Sequence, residues 1–365
     1  MDIHDFAESK KLRLRQIMDF TSDVNPVGPS NKAKHAIRKG AKDLIFPPDE
    51  KIRRLKRYIC KREQVGEETI FFGLGLEHIL SILVQTFRPA SVALVSPVSR
   101  RYSAFLAGRG VHIAAVPPTK EWGLPIDVES LVKTAKEADT ILLANPHDVT
   151  GAILPAEELI SLIKETDRLG KTLVIDESYI DYTEAESPVR EVVASHMAMI
   201  IRSFSLFHAL AGLPIGYMMG PAESVMNLNG CITPPRIGSL AYEAAYASLK
   251  DKGYGIRTFR FIEEEKRFVI DQLKKFNLLD VLDTPCNFLL LKADKLPADL
   301  DGLLQKRAIL IDRYDDGTGG TYIKFPVKSH KFNARFIKAL KSVMGSSSDL
   351  APREEKDGRA PEDGP

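Results

Sequence analysis

Short runs of aliphatic and β-branched residues alternate with stretches of helical periodicity between about residues 67 and 217. Six of these runs are almost continuously apolar, which is typical of strands covered on both faces. They are Thr69–Phe72, Ser91–Ser96, His112–Val116, Thr140–Ala144, Thr172–Ile175 and Met199–Arg202. Between them, Ala156–Leu169 places apolar residues on one helical face and stops at Gly170. Strands that alternate with helices predict an α/β domain with a mostly parallel central sheet covered by helices.

A smaller α+β domain is predicted after about residue 245. Helical stretches over Leu240–Asp251 and Phe259–Lys275 lead to three apolar runs and a closing helix. These runs are Cys286–Lys292, Ala308–Ile311 and Tyr322–Phe325, and the closing helix is Phe332–Met344. We therefore divide the chain into an N-terminal arm (1–40), a large domain (41–245) and a small domain (246–344). Residues 345–365 lack Val, Ile and aromatic side chains, which predicts a disordered tail.

Composition narrows the class of protein. The chain has 365 residues, 44% of them hydrophobic and 27% charged, which suits a globular protein of about two domains. A net charge of +2 gives no reason to expect binding to nucleic acid or to an acidic membrane. The apolar runs are shorter than the roughly 20 residues of a membrane span, and the N-terminus is too polar for a signal peptide. Three well-separated cysteines indicate reduced thiols, no metal site and a cytoplasmic location.

Polar residues follow three of the predicted strands. The segments are Asn145–Gly151, Asp176–Tyr179 and Ser203–Leu213. Ligands of open α/β sheets bind where the carboxyl ends of the strands meet, so we expect chemistry at this edge. Each segment alone is an ordinary turn or cap, but their order and spacing together are more specific.

These segments resemble the pyridoxal-phosphate enzymes of the aspartate aminotransferase fold. The chain is most similar to the branch that holds histidinol-phosphate aminotransferase and threonine-phosphate decarboxylase. The opening Asp19–Pro29 is similar to that branch's "DFS-x-N-x-NP-x-GP", Phe71–Glu77 resembles its glycine-rich loop, and Cys286–Leu291 resembles its "NFLL" strand. The likeness runs from about Asp19 to Met344.

The resemblance implies pyridoxal 5'-phosphate as cofactor and assigns roles to individual residues. Asp176 would pair with the pyridinium nitrogen and Tyr179 with the phenolic oxygen. Ser203 and Ser205 would bind the phosphate, and Asn25 would contact the substrate. The full set of cofactor-binding residues expected on this basis is Asp176, Tyr179, Ser203, Ser205, Gly75, Asp148 and Tyr102, with Asn25 and Lys324 expected to bind substrate.

The residue at the Schiff-base position departs most from the family pattern. The family's "S-(S/T)-K" motif has its lysine where this chain has Leu206, and leucine can neither form an imine nor carry a proton. No lysine lies between Lys171 and Lys250 to replace it along the chain. The family's phosphate-binding arginine is Pro214 here, and its carboxylate-binding arginine is Lys324.

Four further positions differ in the same way. Asp148 replaces an asparagine beside the phenolic oxygen, and Ser99 replaces the aromatic residue that stacks on the ring, although Tyr102 is close in sequence. Phe46 replaces the tyrosine that reaches the neighbouring subunit's phosphate. The glycine-rich loop is one residue shorter than usual after Gly75. Seven altered positions within an otherwise matching pattern indicate that the fold has been kept while catalysis has not.

Three functional hypotheses remain open from the sequence. The first is a family member without Schiff-base catalysis, acting as a binding or scaffolding subunit. The second is an active transferase or lyase that holds pyridoxal phosphate non-covalently, with His208 or Lys324 as base. The third is a protein that binds another phosphorylated metabolite or an amino acid in the same cleft. In each case the resemblance implies a homodimer in which the segment around Phe46 crosses to the other subunit.

Overall fold

The fold is described from a computed structural model. It covers residues 3–117, 126, 128–231, 237–275, 280–294, 296–315 and 320–348. The strands in this part of the chain are β1 (Met18–Phe20), β2 (Ile70–Gly73), β3 (Ser91–Val95), β4 (His112–Val116), β5 (Thr140–Ala144), β6 (Thr172–Asp176), β7 (Ala198–Ser203), β8 (Gly216–Met219), β9 (Asp280–Asp283), β10 (Phe288–Lys292), β11 (Ile309–Asp315) and β12 (Thr321–Pro326).

The helices surround two sheets. They are α1 (Ile3–Lys10), α2 (Asn31–Gly40), α3 (Asp49–Glu63), α4 (Leu76–Phe87), α5 (Arg100–Ala107), α6 (Val128–Ala135), α7 (Ala156–Leu169), α8 (Val189–Ala194), α9 (Ala222–Cys231), α10 (Ser239–Leu249), α11 (Lys252–Leu273), α12 (Leu300–Gln305) and α13 (His330–Ser348). Within the described ranges, none of these helices is both long enough and apolar enough to cross a membrane.

The large sheet has the strand order β2-β8-β7-β6-β5-β3-β4. β8 is antiparallel to both of its neighbours, and the other described strands run parallel to one another. β6 and β7 are adjacent, with Ile175 opposite Ile200. Along β6, Leu173 and Ile175 pack into the hydrophobic cluster on one face and Val174 into that on the other. The predicted mostly parallel α/β fold is therefore confirmed, with both faces of the sheet covered.

The small sheet has the strand order β1-β11-β12-β10-β9 and recruits the N-terminus of the chain. β1 pairs in parallel with β11, which places Met18 and Phe20 in the core of the small domain. The Phe20 ring lies 4.9 Å from the rings of both Phe325 and Phe336. The first part of the predicted arm thus belongs structurally to the small domain.

Three elements differ from the sequence expectation. β8, which follows the segment Ser203–Leu213, was not among the predicted strands. α11 begins at Lys252, seven residues before the expected start at Phe259. α13 continues to Ser348, so the first four residues of the predicted tail are helical, and the rest of that tail lies outside the described residues.

Candidate active-site cleft

Asp176 ends β6 at the carboxyl edge of the large sheet, where its carboxylate is fully bonded inside the protein. The Tyr102 hydroxyl donates to Oδ2 at 2.5 Å. The Ser178 backbone N–H and hydroxyl both donate to Oδ1, at 2.9 and 2.5 Å. Burial raises the pKa of Asp176, while Arg101 and these hydrogen bonds oppose that rise.

The start of α5 explains why Tyr102 reaches Asp176. Ser99 is the N-cap of this helix, and its side-chain oxygen accepts from the Tyr102 backbone N–H at 3.5 Å. The first turn then carries Tyr102 towards the end of β6. Burial, followed by the negative charge of Asp176, raises the pKa of Tyr102 well above its usual value. The aromatic side chain is thus present, but it binds the carboxylate that the resemblance assigns to the cofactor ring.

Tyr179, Lys324 and Asp23 form a second polar cluster, which joins the two sheets. The Tyr179 hydroxyl donates to Asp23 Oδ2 at 2.5 Å. Lys324 Nζ, on β12, donates to the same Asp23 oxygen at 2.7 Å, to the Tyr179 oxygen at 3.2 Å and to the backbone carbonyl of Asp148. An ammonium has three protons, so these three acceptors satisfy it completely. These contacts fix Lys324 Nζ between Asp23, Tyr179 and the backbone of Asp148.

Asp148 lies beside this cluster and joins it through its backbone, whereas its side chain makes no hydrogen bond to the cluster. The residue is 8% exposed. Its backbone carbonyl accepts from Lys324, but no hydrogen bond or ion pair from a described residue reaches its carboxylate. Burial raises the pKa values of Tyr102 and Tyr179, and the charge of Asp148 raises both further. The carboxylate therefore lies close to both tyrosines.

The glycine-rich loop and the serine-rich loop meet at the N-terminus of α4. Gly75 precedes this helix with φ +86°, and a Cβ there would lie 4.0 Å from the Ser205 hydroxyl. The Ser205 N–H donates to the Ser203 hydroxyl at 3.2 Å. At Gly216 a Cβ would lie only 2.8 Å from the Arg202 carbonyl oxygen and 3.1 Å from the Gly75 Cα. The fold thus brings together the residues that the resemblance assigns to phosphate binding.

Leu206 is surrounded by apolar side chains. It packs against a cluster that includes Tyr179, Phe207 and Tyr254. Its backbone carbonyl accepts from the Asn25 N–H at 3.0 Å. Pro214, at the position that the resemblance assigns to a phosphate-binding arginine, is exposed.

His208 is buried among aromatic rings and not on a helix. It lies 5.2 Å from the Phe204 and Phe207 rings and stacks on Tyr254 at 6.2 Å. Its Nε2 is 3.6 Å from the carboxylate of Asp181. Burial raises the pKa of Asp181, but His208 and two arginines lower it below its usual value. His208 therefore packs against these aromatic rings and lies beside the carboxylate of Asp181.

Asn25 has its amide bonded inside the protein. Three acceptors lie within 3.0 Å of its nitrogen and share its two protons: the Phe207 carbonyl, the Tyr254 hydroxyl and the Thr258 hydroxyl. Its oxygen accepts from the Val27 N–H at 3.0 Å. A substrate contact from this side chain would have to displace one of these bonds. In this structure Asn25 fixes the N-terminal segment to the loop after β7.

Two charged residues of the cleft, Asp23 and Arg101, were not singled out from the sequence, whereas Lys324 was expected to bind substrate. Asp23 stands where the "DFS-x-N-x-NP" pattern has an asparagine, and Lys324 stands where the family has an arginine. The two changes together could have indicated the ion pair that the structure contains. Arg101 follows the N-cap of α5 and donates to Glu77 at 3.2 Å. Because Arg101 contacts a residue 24 positions away along the chain, no local sequence motif could have indicated this contact.

The residues of the cleft do not fit a pyridoxal phosphate held covalently in the family's manner. Such a cofactor needs a lysine amine, a carboxylate for its ring nitrogen and a phenol for its ring oxygen. Asp176 and Tyr179 are in place, but both already have partners within the protein. Leu206 offers no amine, and Lys324 has no unused proton. Among the described residues, no group of three or more metal-ligating side chains is placed to hold a metal ion.

Comparison with known proteins places the chain in a family. The sequence profile described as "Aminotransferase class I and II" matches residues 15–311. A histidinol-phosphate aminotransferase of Moorella thermoacetica is 25% identical over 344 residues, covering 92% of this chain and 87% of that protein. A threonine-phosphate decarboxylase of Salmonella typhimurium is 25% identical over 334 residues, covering 90% and 92%. The fold is shared with the histidinol-phosphate aminotransferase of Sinorhizobium meliloti, solved in complex with pyridoxal-5'-phosphate (TM-score 0.82, 21% identity, 95% of each chain). The chain therefore belongs to the class I and II aminotransferase family.

Proposed function

We propose that this family member binds a ligand in its cleft, as a binding or scaffolding subunit, without Schiff-base catalysis. The observation that carries the proposal is Leu206, an alkyl side chain packed among aromatic residues at the position of the family's lysine. Hydrocarbon cannot attack an aldehyde or relay a proton, so the step that defines the family's chemistry lacks its residue.

The two bases that could replace a lysine are both enclosed by the protein, although the buried ring nitrogens of His208 have no hydrogen-bond partner among the described residues. Lys324 donates all three of its protons to oxygen acceptors, one of them the carboxylate of Asp23. To attack an aldehyde, its amine would have to leave these acceptors. His208 is enclosed by rings and faces Asp181. These contacts support a cleft that holds a ligand over one that transforms it.

Borohydride reduction in the presence of pyridoxal phosphate tests the proposal. Reduction makes any imine between cofactor and lysine permanent, and peptide mass spectrometry then locates it. We expect no cofactor on a cleft residue of the native protein. Leu206→Lys combined with Pro214→Arg and Asp148→Asn provides the positive control, since it restores an amine at the family position together with the contacts expected to hold the cofactor. Cofactor attached at Lys324 in the native protein, at one equivalent per chain, would contradict the proposal.

We further propose that the chain forms a homodimer through the segment between α2 and α3. Leu44, Ile45 and Phe46 are all exposed, Ile45 to 80%. Consecutive exposed apolar residues are typical of a surface that another protein covers. Light scattering at micromolar concentration should give twice the chain mass, and Ile45→Asp should reduce it. Ile256→Asp, on an exposed position of α11, is the control; a monomeric native protein would contradict the dimer.

A further inference from the structure

An apolar cavity lies between the large sheet and helices α4 and α5, at the amino edge of the parallel strands. Its volume is about 30 Å³. Thr140 and Thr172, which begin β5 and β6, and Val92, the second residue of β3, line it from the sheet. The rest of its lining is apolar and includes Leu83 of α4 and Phe105 of α5. One water needs roughly 10–15 Å³ of such space, so a hydrocarbon group of about two methyl-sized units fits.

A wider groove of about 960 Å³ adjoins this cavity. Val84 and Pro89 line both spaces, which makes them neighbours. Val84 and Phe105 are only half-buried, so the cavity reaches the surface here. Two exposed arginines, Arg88 and Arg109, line the groove, and no acidic side chain of the described residues lines it. The groove therefore presents positive charge beside an apolar space.

Arg109 connects the groove to the cavity and has donors to spare. Its guanidinium carbon lies 3.8 Å from the centre of the Phe105 ring, which itself lines the cavity. It donates to the Phe105 carbonyl at 3.0 Å and to the Ser81 hydroxyl at 3.2 Å. A guanidinium has five N–H groups, so three of them remain available to another acceptor. Within the described part of the chain, neither Arg109 nor Arg88 forms an ion pair with a carboxylate.

The place of the groove in the fold favours an anion with a single charge. The groove lies at the carboxyl end of α4, where Arg88 caps the helix with φ +47° and its N–H donates to the Val84 carbonyl at 2.9 Å. The negative end of a helix dipole disfavours a phosphate dianion, which proteins commonly bind at the opposite end of a helix. A carboxylate carries one charge, and its two oxygens match the planar fork of a guanidinium.

We propose that this site binds a short aliphatic carboxylate, with its carboxylate at Arg109 and Arg88 and its alkyl chain in the apolar cavity. Butyrate matches the cavity, because a CH₂ and a CH₃ group lie beyond the carbon that carries its carboxylate. The inference goes beyond the proposed function and does not depend on it, since the site and the cleft lie at opposite edges of the large sheet.

Ligand-observed NMR titration of the full-length protein with butyrate, acetate and butylamine tests both halves of the site. We expect butyrate to bind at least tenfold more tightly than acetate, because each buried methylene contributes about fourfold in affinity. Butylamine has a similar alkyl chain and the opposite charge, so it should bind at least tenfold more weakly than butyrate.

Two variants separate the head group from the alkyl chain. Arg109→Gln should weaken butyrate binding about tenfold or more, the loss expected for a charge-assisted hydrogen bond. Val84→Phe places a ring where the cavity meets the groove and should remove the preference for butyrate over acetate. Arg260→Gln, whose native side chain is 81% exposed on α11, is the matched control and should bind butyrate as the native protein does. Circular dichroism checks that each variant folds.

Four results would overturn the inference. They are undetectable butyrate binding, equal affinities for butyrate and acetate, unchanged butyrate binding by Arg109→Gln, and tighter binding of butyl phosphate than of butyrate. The last result would assign the site to a phosphate. None of these measurements involves pyridoxal phosphate or the cleft, so failure here is distinguishable from failure of the proposed function.

Discussion

Replacing Arg202 with methionine should destabilise the protein strongly and in a pH-dependent way. Arg202 lies on β7 and donates to Glu177 and to Glu63, both at 2.8 Å. Its side chain is 8% exposed, and that of Glu177 is fully buried. Methionine fills much of the same volume but leaves the Glu177 carboxylate with the Ser187 hydroxyl as its only donor among the described residues, at 2.6 Å.

The expected loss follows from the burial of this ion pair. Removing one partner of a buried pair costs about 3–5 kcal/mol, because the remaining charge is uncompensated. Burial already raises the pKa of Glu177, and Arg202 opposes the rise. Without Arg202 the folded-state pKa rises further above the unfolded one. A raised folded pKa favours folding at low pH and loses that contribution as pH increases, so the variant should be less impaired at pH 5 than at pH 8.

Urea denaturation followed by circular dichroism measures both effects. The native protein and Arg202→Met are compared at pH 5 and pH 8. Arg168→Met is the matched control, since Arg168 pairs with Glu165 at 2.6 Å but is 66% exposed, and no change is expected at either pH. A loss below about 1 kcal/mol, the range of a surface pair, or an equal loss at both pH values would refute the reasoning.

Two other properties can be checked directly. Deleting residues 349–365 should move Tm by less than about two degrees, because the segment has no periodic apolar residues to bury; a larger fall in calorimetry would show that it docks. Burial raises the pKa values of Tyr217, Tyr254 and Cys286 to about 12. The stability that these neutral groups contribute should be complete below pH 9 and lost as pH rises towards 12, so the ionisation of Tyr217 and Tyr254 should accompany unfolding. Tyr217→Phe and Tyr254→Phe variants identify their share of the tyrosinate absorbance.

Periodic elements of the large domain could be predicted from the sequence. The predicted bounds of β4, β5 and α7 agree with the structure. Each of these elements is a continuous periodic run whose ends are marked by polar residues, proline or glycine. Shorter elements that depend on tertiary pairing were not predicted. β1 has three residues and exists through its pairing with β11, and β9 is an edge strand whose side chains are largely exposed. The glycines at 253 and 255 concealed the start of α11.

The site was predictable in position but not in its internal contacts. The end of β6 and the end of β7 carry Asp176 and Ser203, as parallel topology requires. The bond between Tyr102 and Asp176 joins residues 74 apart, and that between Lys324 and Asp23 joins residues 301 apart. Such pairings depend on the orientation of helices and on the packing of two domains. No periodicity or local motif contains that information.

Steady-state turnover with pyridoxal phosphate tests the central claim most directly. The substrates are histidinol phosphate with a 2-oxo acid acceptor, and threonine O-3-phosphate, which the names of the relatives suggest. We expect rates near background for the native protein and for Leu206→Lys alone. Leu206→Lys combined with Pro214→Arg and Asp148→Asn should regain cofactor binding before turnover, because those changes restore cation and amide contacts. Turnover by the native protein at about one per second or faster, an ordinary enzymatic rate, would contradict the account.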